Sequence, residues 1–450
     1  MKSLDLLGTK QQQAVTRIYE NDSTYLIGQM GSGKTVVALT AASELLTARE
    51  VSRVLVVAPP RVVDDVWVDE HEGWEHLHHL NVALAVGTPE ERLNVLRGSA
   101  EIVAISFENL PWFFSVVDTV ENHFFDMLVI DEITKMKAGG KSFKALRTRL
   151  RDFSVRLVMT GTPVAESWTD LFYCMMACDS GAMFGRNKQQ WLDRYFYPTD
   201  YERRNWTVLP HCVDELTRKL SSTVFVLPDY TDELPLLHEI VVPITLQATA
   251  RAQYDEFERD CLNEHATADS APVLTGKLQQ MASGFLYPDD EDADTVFVHD
   301  EKIHGAGHLY NQCNIPTIFV YQFKEELARL RARFPKGVGL GDTKKRDAAT
   351  LALWRRGELP QLFLHPKSAG HGLDLTTGSR MVIMSPIWSR DLTRQTIGRF
   401  WRRNQIEECW VFILVAKGTV DEDIVKRENG KGAHMDLLMS RLDRLTKARH

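Results

Sequence analysis

Cysteine is scarce. The 450 residues hold six, Cys174, Cys178, Cys212, Cys261, Cys313 and Cys409, with no C-x-x-C pair among them. That excludes a disulfide scaffold and a Cys-rich zinc module, and it fits a reducing cytosol. Long apolar runs are missing too, since none approaches the roughly 18 residues a membrane helix requires. The N-terminus carries Lys2, Asp5, Gln11, Gln12 and Gln13 where a signal peptide would have an apolar core. The expectation is a soluble cytoplasmic protein with no membrane contact. Positive charge is in deficit: 53 Lys and Arg stand against 61 Asp and Glu, a net charge of −8. The whole molecule is therefore no polycation, and any nucleic-acid contact has to use local basic strips.

What is present is an ordinary globular composition, 44% apolar and 25% charged. At roughly 150 residues per domain the length suggests about three units, or two large ones with insertions. The first half alternates β-branched runs with helical patterns, giving candidate strands at Thr24–Ile27, Val54–Ala58, Glu101–Ile105, Met127–Ile130 and Arg156–Met159. Such alternation predicts a parallel sheet covered on both faces. Val164–Val226 is aromatic-rich and mostly helical in pattern, and Pro228, Pro235 and Pro243 punctuate what reads as a connection between lobes. A second alternation follows, with strands at Thr317–Val320, Leu362–His365, Arg380–Met384 and Val411–Val415. Pro288–Glu301 holds seven acids and no Lys or Arg, which reads as a solvated acidic loop.

Gly28-Gln29-Met30-Gly31-Ser32-Gly33-Lys34-Thr35 fits G-x-x-x-x-G-K-[ST] at every fixed position. It lies after a strand and before the apolar helical run Val36–Leu46, the context this phosphate-cradling loop requires. Glycines let backbone N–H groups curl around a phosphate, and the following helix N-terminus adds partial positive charge. Gly28, Gly31, Ser32 and Gly33 would line the cradle, Lys34 would neutralise β- and γ-phosphates, and the Thr35 hydroxyl would be a Mg²⁺ ligand. The strand Met127–Ile130 ends in Asp131-Glu132, at the edge where α/β sheets bind ligands. Asp131 suits Mg²⁺, and Glu132 suits the orientation and deprotonation of a water.

With these residues the chain resembles superfamily-two helicase-type motors, and more closely their Swi/Snf-like ATPase branch, including compact versions in bacterial viruses. Val54-Leu55-Val56-Val57-Ala58-Pro59-Pro60-Arg61 looks like the strand and loop that track a nucleic-acid backbone, and Trp67 and Glu70 follow at a familiar spacing. Asp131-Glu132-Ile133-Thr134 stands where the family often has DEAH or DESS, with Lys137 soon after. Thr160-Gly161-Thr162-Pro163 is similar to the T-G-T-P motif that links hydrolysis to strand contact, and Phe184-Gly185, Trp191 and Tyr195-Phe196 resemble a helical extension. Downstream, Ile318–Phe323 is similar to V-F-S-Q-F, and Ser368–Thr376 to A-G-G-x-G-L-N-L-T. Trp388 falls at a W-N-P turn, and Gln395–Gln405 fits Q-x-x-x-R-x-x-R-x-x-Q. Two departures stand out: Asp374 replaces an Asn, and Ala165-Glu166-Ser167 replaces Q-N-N.

The resemblance implies an α/β chain of two RecA-like parallel-sheet lobes in tandem, with an ATP cleft between them and small helical insertions. Lobe one would be residues 1–235, with its insertion at about 164–226, and lobe two 236–450, with the acidic loop at about 288–301. ATP with Mg²⁺ would be hydrolysed by Lys34, Asp131 and Glu132 together with Arg399 and Arg402, which are three apart on an expected helix and so share a face. Gly372 and Asp374 would add to the nucleotide site. Gln11 best matches the glutamine that reads adenine, with Gln12 and Gln13 as its rivals. Nucleic-acid contacts would fall on Pro59, Arg61, Thr160, Thr162, Ser368 and Trp388.

Two basic strips add to these, Lys141, Lys144, Arg147, Arg149 and Arg151 in one and Lys344-Lys345-Arg346 in the other. Phosphate-directed contacts do not read sequence, which suits movement along a duplex. His71, His76, His78 and His79 lack a completing ligand set and read as a surface helix, while Cys174 and Cys178 read as core. The expected activity is that of a translocase on double-stranded DNA, a DNA-dependent ATPase, with a protein partner supplying any targeting. The rivals are a strand-separating DNA or RNA helicase, whose wedge would be a short hairpin in Pro288–Glu301 or Val164–Val226, and an ATP-gated protein-remodelling switch that uses DNA as a scaffold. For a viral version the location would be the bacterial host's cytoplasm.

Overall fold

The computed structural model describes residues 2–29, 31–60, 62–121, 124–136, 139–161, 167–203, 205–228, 233–264, 271–288, 294–341, 344–367 and 373–426. The chain divides into two compact units, Met1–Tyr230 and Thr231–Gly430. Among the described residues no helix is long and apolar enough to cross a membrane.

In the first unit the β-branched runs become β1 (Ser23–Ile27), β2 (Val54–Ala58), β3 (Val82–Leu84), β4 (Ile102–Ser106), β5 (Met127–Ile130) and β6 (Val155–Thr160). After these come a small antiparallel hairpin, β7 (Phe196–Pro198) with β8 (Trp206–Val208), and then β9 (Val224–Val226). All but the hairpin join one seven-stranded sheet in the order β3-β4-β2-β5-β6-β1-β9, and every pairing in it is parallel. Successive side chains serve opposite faces. Leu55, Val57, Leu128 and Ile130 enter one core with Phe113 and Phe172, whereas Val54, Val56 and Val129 enter the other with Val37 and Leu39 of the helix Lys34–Ala48. Complete burial on both faces is why these strands read as unbroken apolar runs rather than alternating ones.

The second unit holds β10 (Leu237–Ile244), the small pair β11 (Phe285–Leu286) with β12 (Val296–Phe297), then β13 (Thr317–Val320), β14 (Val338–Gly339), β15 (Gln361–Leu364), β16 (Arg380–Ile383) and β17 (Cys409–Ala416). Its six-stranded sheet runs β10-β17-β16-β13-β15-β14, again wholly parallel. Ile318, Met381 and Ile413 face one core with Trp354 and Phe400, while Phe319, Val382 and Leu414 face the other with Phe334 and Phe363.

Three expectations are corrected here. The proline-punctuated stretch is not wholly a connection: Leu237–Ile244 is a strand that pairs with β17 over its full length and carries Pro243 inside it. Proline is tolerated because β10 is the sheet's edge, where one side of the strand has no ladder to break. The insertion Val164–Val226 does hold helices, at Leu171–Asp179, Lys188–Tyr195 and Val213–Leu220, but it also holds the β7–β8 hairpin and returns through β9 to the main sheet. The stretch Pro288–Glu301 is not all loop: it contains β12, which pairs with β11, and it ends in the helix Glu301–Asn311, with Asp300 at the N-cap position and no side-chain cap bond. Residues 289–293 lie outside the described residues.

Candidate active site

The phosphate loop leaves β1 and enters the helix Lys34–Ala48 through Gly33, whose φ of 81° is left-handed and favours glycine. No side chain caps this helix, so the first-turn N–H groups face outward for an anion. Gly31, at φ 79°, is also left-handed, and since nothing lies within 4 Å of where a Cβ would project, it is the backbone and not crowding that favours glycine there. Gln11 locks the turn from behind. Its Nε2 donates to the Ser32 carbonyl at 2.8 Å, its Oε1 accepts from Gly8 N–H at 2.9 Å, and a Cβ on Gly33 would sit 2.2 Å from Nε2. Gln12 instead donates to the Leu7 carbonyl at 3.0 Å, so of the two only Gln11 reaches the loop. Lys34 Nζ folds back onto the carbonyls of Gly28 and Gln29. The Ser32 hydroxyl is buried and among the described residues has no hydrogen-bond partner, leaving an acceptor and donor beside the loop for a phosphate oxygen or its cation. Met30 lies outside the described residues.

Asp131 and Glu132 stand at the C-terminal end of β5, where Asp131 N–H still reaches the Val57 carbonyl at 2.8 Å. Burial pushes the Asp131 carboxyl up to about 6; Lys34 pulls the other way, and the neighbouring charge of Glu132 adds to the rise. Glu132 adopts φ 61°, rare for a residue with a side chain and costing of order 1–3 kcal/mol. That backbone aims the buried carboxylate at two hydroxyls, Thr134 Oγ1 at 2.7 Å and Thr160 Oγ1 at 3.0 Å, both donating to Oε1. Among the described residues no hydrogen bond is donated to Oε2. Thr160 also accepts from Gly28 N–H through its carbonyl at 3.1 Å, so one residue touches both the phosphate loop and the carboxylate.

Thr160 was expected at a nucleic-acid surface, yet it is 0% exposed and its hydroxyl serves Glu132. Pro59 is likewise buried; its carbonyl accepts from Val62 and Val63 N–H and starts the π-helical turn Val62–Val66. Arg61 and Thr162 lie outside the described residues, as do Lys137, Ala165 and Glu166.

In the second unit the arginine motif departs from the expected helix. The helix Arg390–Ile397 closes at Gly398, and Arg399 and Arg402 follow in a turn. Buried Phe400 anchors that turn in the core, and Gln405 staples it: its Nε2 donates to the carbonyls of Thr376, Gly378 and Phe400 at 3.2, 3.0 and 3.0 Å. Arg399 is buried and its carbonyl accepts from Leu375 N–H at 3.0 Å; Arg402 Nη1 donates to the Leu373 carbonyl at 3.3 Å. The motif is thus wired to the 373–378 loop. Asp374 Oδ1 accepts from Thr376 N–H and Oγ1 at 3.1 and 2.8 Å, a local turn that occupies this oxygen. Trp388 is 40% exposed, next to Ser389, which caps the same helix. Ser368 and Gly372 lie outside the described residues, as do the side chains of Lys344, Lys345 and Arg346.

Two of the four histidines pin this segment to its neighbour. His76 Nε2 meets Thr40 Oγ1 at 2.9 Å and His79 Nε2 meets Ser43 Oγ at 3.1 Å, tying this segment to the helix Lys34–Ala48. Burial lowers the proton affinity of His76. Cys174 and Cys178 are buried in the first unit's core.

Sequence reasoning passed over Thr134 and Gln405 although both stand in named motifs. A small hydroxyl two residues after a strand-end Glu, and a Gln closing an arginine motif, were the available signals.

A glycine-rich loop that opens onto an uncapped helix N-terminus after a parallel strand, joined through Thr160 to a strand-end carboxylate, defines a P-loop ATPase. Residues 10–285 match the family described as SNF2-related domain, and the chain belongs to that family of ATPases. It is 32% identical over 445 residues to protein p41 of Acyrthosiphon pisum secondary endosymbiont phage 1, covering 92% of this chain and 94% of that protein. It is 21% identical to the DNA repair and recombination protein RAD54-like of Drosophila virilis and 22% to DNA repair and recombination protein RDH54 of Saccharomyces cerevisiae, over 90% and 91% of this chain. It spans only 58% and 51% of the length of those two relatives. Among solved structures it is similar to the Sulfolobus solfataricus SWI2/SNF2 ATPase core in complex with dsDNA, at 18% identity, TM-score 0.43, and 97% and 95% coverage.

Proposed function

We propose that the chain is a Mg²⁺- and ATP-dependent translocase on double-stranded DNA. The observation that carries the reading is Thr160, which joins the phosphate loop at Gly28 to the buried carboxylate of Glu132. In this reading the link would couple hydrolysis to the segment that follows β6. Relatives named for DNA repair and recombination support DNA as the track.

In this reading Lys34 leaves the loop carbonyls to meet β- and γ-phosphate oxygens, while the first-turn N–H groups after Gly33 hold them. The donor set fits a hard divalent cation: Thr35 and Asp131 would hold Mg²⁺, and the desolvated Asp131 carboxyl and the partnerless Ser32 hydroxyl are what such an ion satisfies. When bound, the ion neutralises charge on the phosphates. Glu132 orients a water through Oε2 and takes its proton, held in place by Thr134 and Thr160 on Oε1. Arg399 and Arg402 would stabilise charge on the γ-phosphate, which ties turnover to the second unit. Trp388, Arg61, Thr162 and Ser368 remain the proposed nucleic-acid contacts, buried Pro59 instead shaping the turn that precedes Val62, with Gln11, Gly372 and Asp374 on the nucleotide side.

The test is the ATPase rate without nucleic acid and with single-stranded DNA, duplex DNA or RNA. Stimulation by duplex is expected, lost in Lys34→Ala and Glu132→Gln; wild-type turnover in Lys34→Ala would overturn the site assignment. The β7–β8 hairpin, with Tyr201 in its connecting turn 103% exposed, favours a second reading as a strand-separating helicase. Triplex displacement without duplex unwinding supports the translocase and unwinding supports the helicase. If neither occurs, both give way to an ATP-gated switch that uses DNA as a scaffold.

A further inference from the structure

The helix Lys141–Arg149 carries cations of two kinds. Arg149 is neutralised, since its guanidinium grips both Asp118 oxygens at 2.7 Å and also pairs with Asp152. Lys144, Arg147 and Arg151 are exposed, and among the described residues they form no ion pair with a carboxylate. These three and Thr148 line an open groove of about 560 Å³ whose far wall is Arg186, from the segment before the helix Lys188–Tyr195. The walls are held together by Arg147 Nη2, which donates to the Arg186 carbonyl at 2.7 Å, while Arg186 Nε donates to the Ser180 carbonyl at 3.4 Å. Among the described residues no acid lines the groove, in a chain of net charge −8.

We infer that this groove is a second binding site for a nucleic-acid backbone, separate from the phosphate loop and the carboxylates. Positions 144, 147, 148 and 151 fall on one face of the chain's helical path, about 10 Å from end to end at 1.5 Å per residue. Over that length one strand of B-DNA presents about three phosphates at 3.4 Å of rise each. Three of the four cations are guanidiniums, whose planar fork matches a phosphate bidentately. The groove is open and so admits a continuous chain rather than one small anion. The site has no means of reading bases, which suits a track of any sequence. This inference rests on the reading of the chain as a DNA motor: the groove would hold the track while the nucleotide site turns over.

The experiment compares wild type, Lys144→Ala/Arg147→Ala/Arg151→Ala and Arg149→Ala. Duplex affinity is measured by fluorescence anisotropy across a salt series on two unrelated sequences, and ATP turnover without DNA is measured beside it. The triple variant is expected to keep basal turnover, to bind both duplexes on the order of tenfold or more weaker, and to flatten the slope of log affinity against log salt by about 3. Arg149→Ala, with its charge already neutralised, is expected to keep wild-type affinity and slope, and thermal melts establish that each variant is folded. A triple variant with wild-type affinity and slope would overturn the inference, as would an Arg149→Ala loss equal to that of the triple. So would loss of poly-glutamate binding in the triple variant with duplex affinity intact, which would make the groove an acidic-peptide site. The DNA-motor reading fails separately, when duplex does not stimulate wild-type turnover; a wild type that binds no duplex at any salt overturns both.

Discussion

Thr160 and Glu132, 28 residues apart in sequence, meet at 3.0 Å in the buried floor of the candidate active site, the hydroxyl donating to Oε1. The same threonine accepts the N–H of Gly28. A side chain and a main-chain carbonyl of one residue therefore fix the carboxylate against the loop that would hold the phosphates.

Thr160→Val keeps the shape and removes the hydroxyl. A hydrogen bond to a charged group contributes about 1.5–3 kcal/mol, so turnover should fall on the order of tenfold or more while ATP affinity changes little. Thr160→Ser should restore the rate. Steady-state kcat and KM settle it: a variant with lower ATP affinity and unchanged kcat would show that the threonine serves the loop and not Glu132.

Gly33 is where backbone and side-chain constraints coincide. An alanine there meets both the left-handed φ of 81° and a Cβ only 2.2 Å from Gln11 Nε2. Gly33→Ala should abolish nucleotide binding, read with a fluorescent ATP analogue. Gln11→Ala should weaken it by roughly tenfold through loss of the Ser32 bond. The double variant should recover little, because removing Gln11 relieves the contact and leaves the backbone strain.

Asp131 sets a pH dependence. Its ordinary value is 3.8 and burial raises it to about 6. Between those values the folded chain holds a proton that the unfolded chain has released, so its contribution to stability is greatest below pH 3.8 and is lost as pH rises to 6. Without Mg²⁺, Asp131→Asn should therefore stabilise the protein at neutral pH by on the order of 1–3 kcal/mol. That gain should vanish at acid pH. Denaturant midpoints for both proteins across the pH range check this, and a gain that did not vary with pH would contradict it.

Much of this was legible in the sequence, for a reason particular residues make plain. Strands such as Val54–Ala58 are buried on both faces and so appear as unbroken apolar runs, and a glycine pattern such as Gly28–Thr35 has few other uses. The three-residue strands β3 and β9 fell below any periodicity signal, and β10 was hidden because Pro243 argues against a strand until its edge position is known. The helix expected through Arg399 and Arg402 failed because tertiary contacts prevailed: Phe400 enters the core and Gln405 pins the turn to three carbonyls. Thr160 was placed at a surface because its motif is tied to strand contact, and nothing local reveals a fully buried hydroxyl.

Least legible was the polar core of the second unit, assembled from positions far apart in sequence. Lys302 is 1% exposed and pairs with Asp421, 0% exposed, at 2.7 Å, while its ammonium also reaches Ser385 Oγ at 3.0 Å. Ser385 in turn donates to buried Glu326 at 2.6 Å, and Glu326 accepts from Gln322 N–H at 2.8 Å. This network sits beneath Ser385-Pro386-Ile387-Trp388, whose carbonyls at 385 and 386 accept from Gln322 Nε2 at 2.9 and 2.6 Å. Removing one partner of a buried pair leaves the other charge uncompensated, so Lys302→Met should destabilise the second unit by about 3–5 kcal/mol. Lys302→Met/Asp421→Asn should recover part of that loss, because no lone carboxylate stays buried. Urea unfolding, followed by proteolysis to locate the weakened unit, reads both effects. If Lys302→Met unfolded at the wild-type midpoint, the ammonium would not be the centre of the network that holds the Trp388 loop.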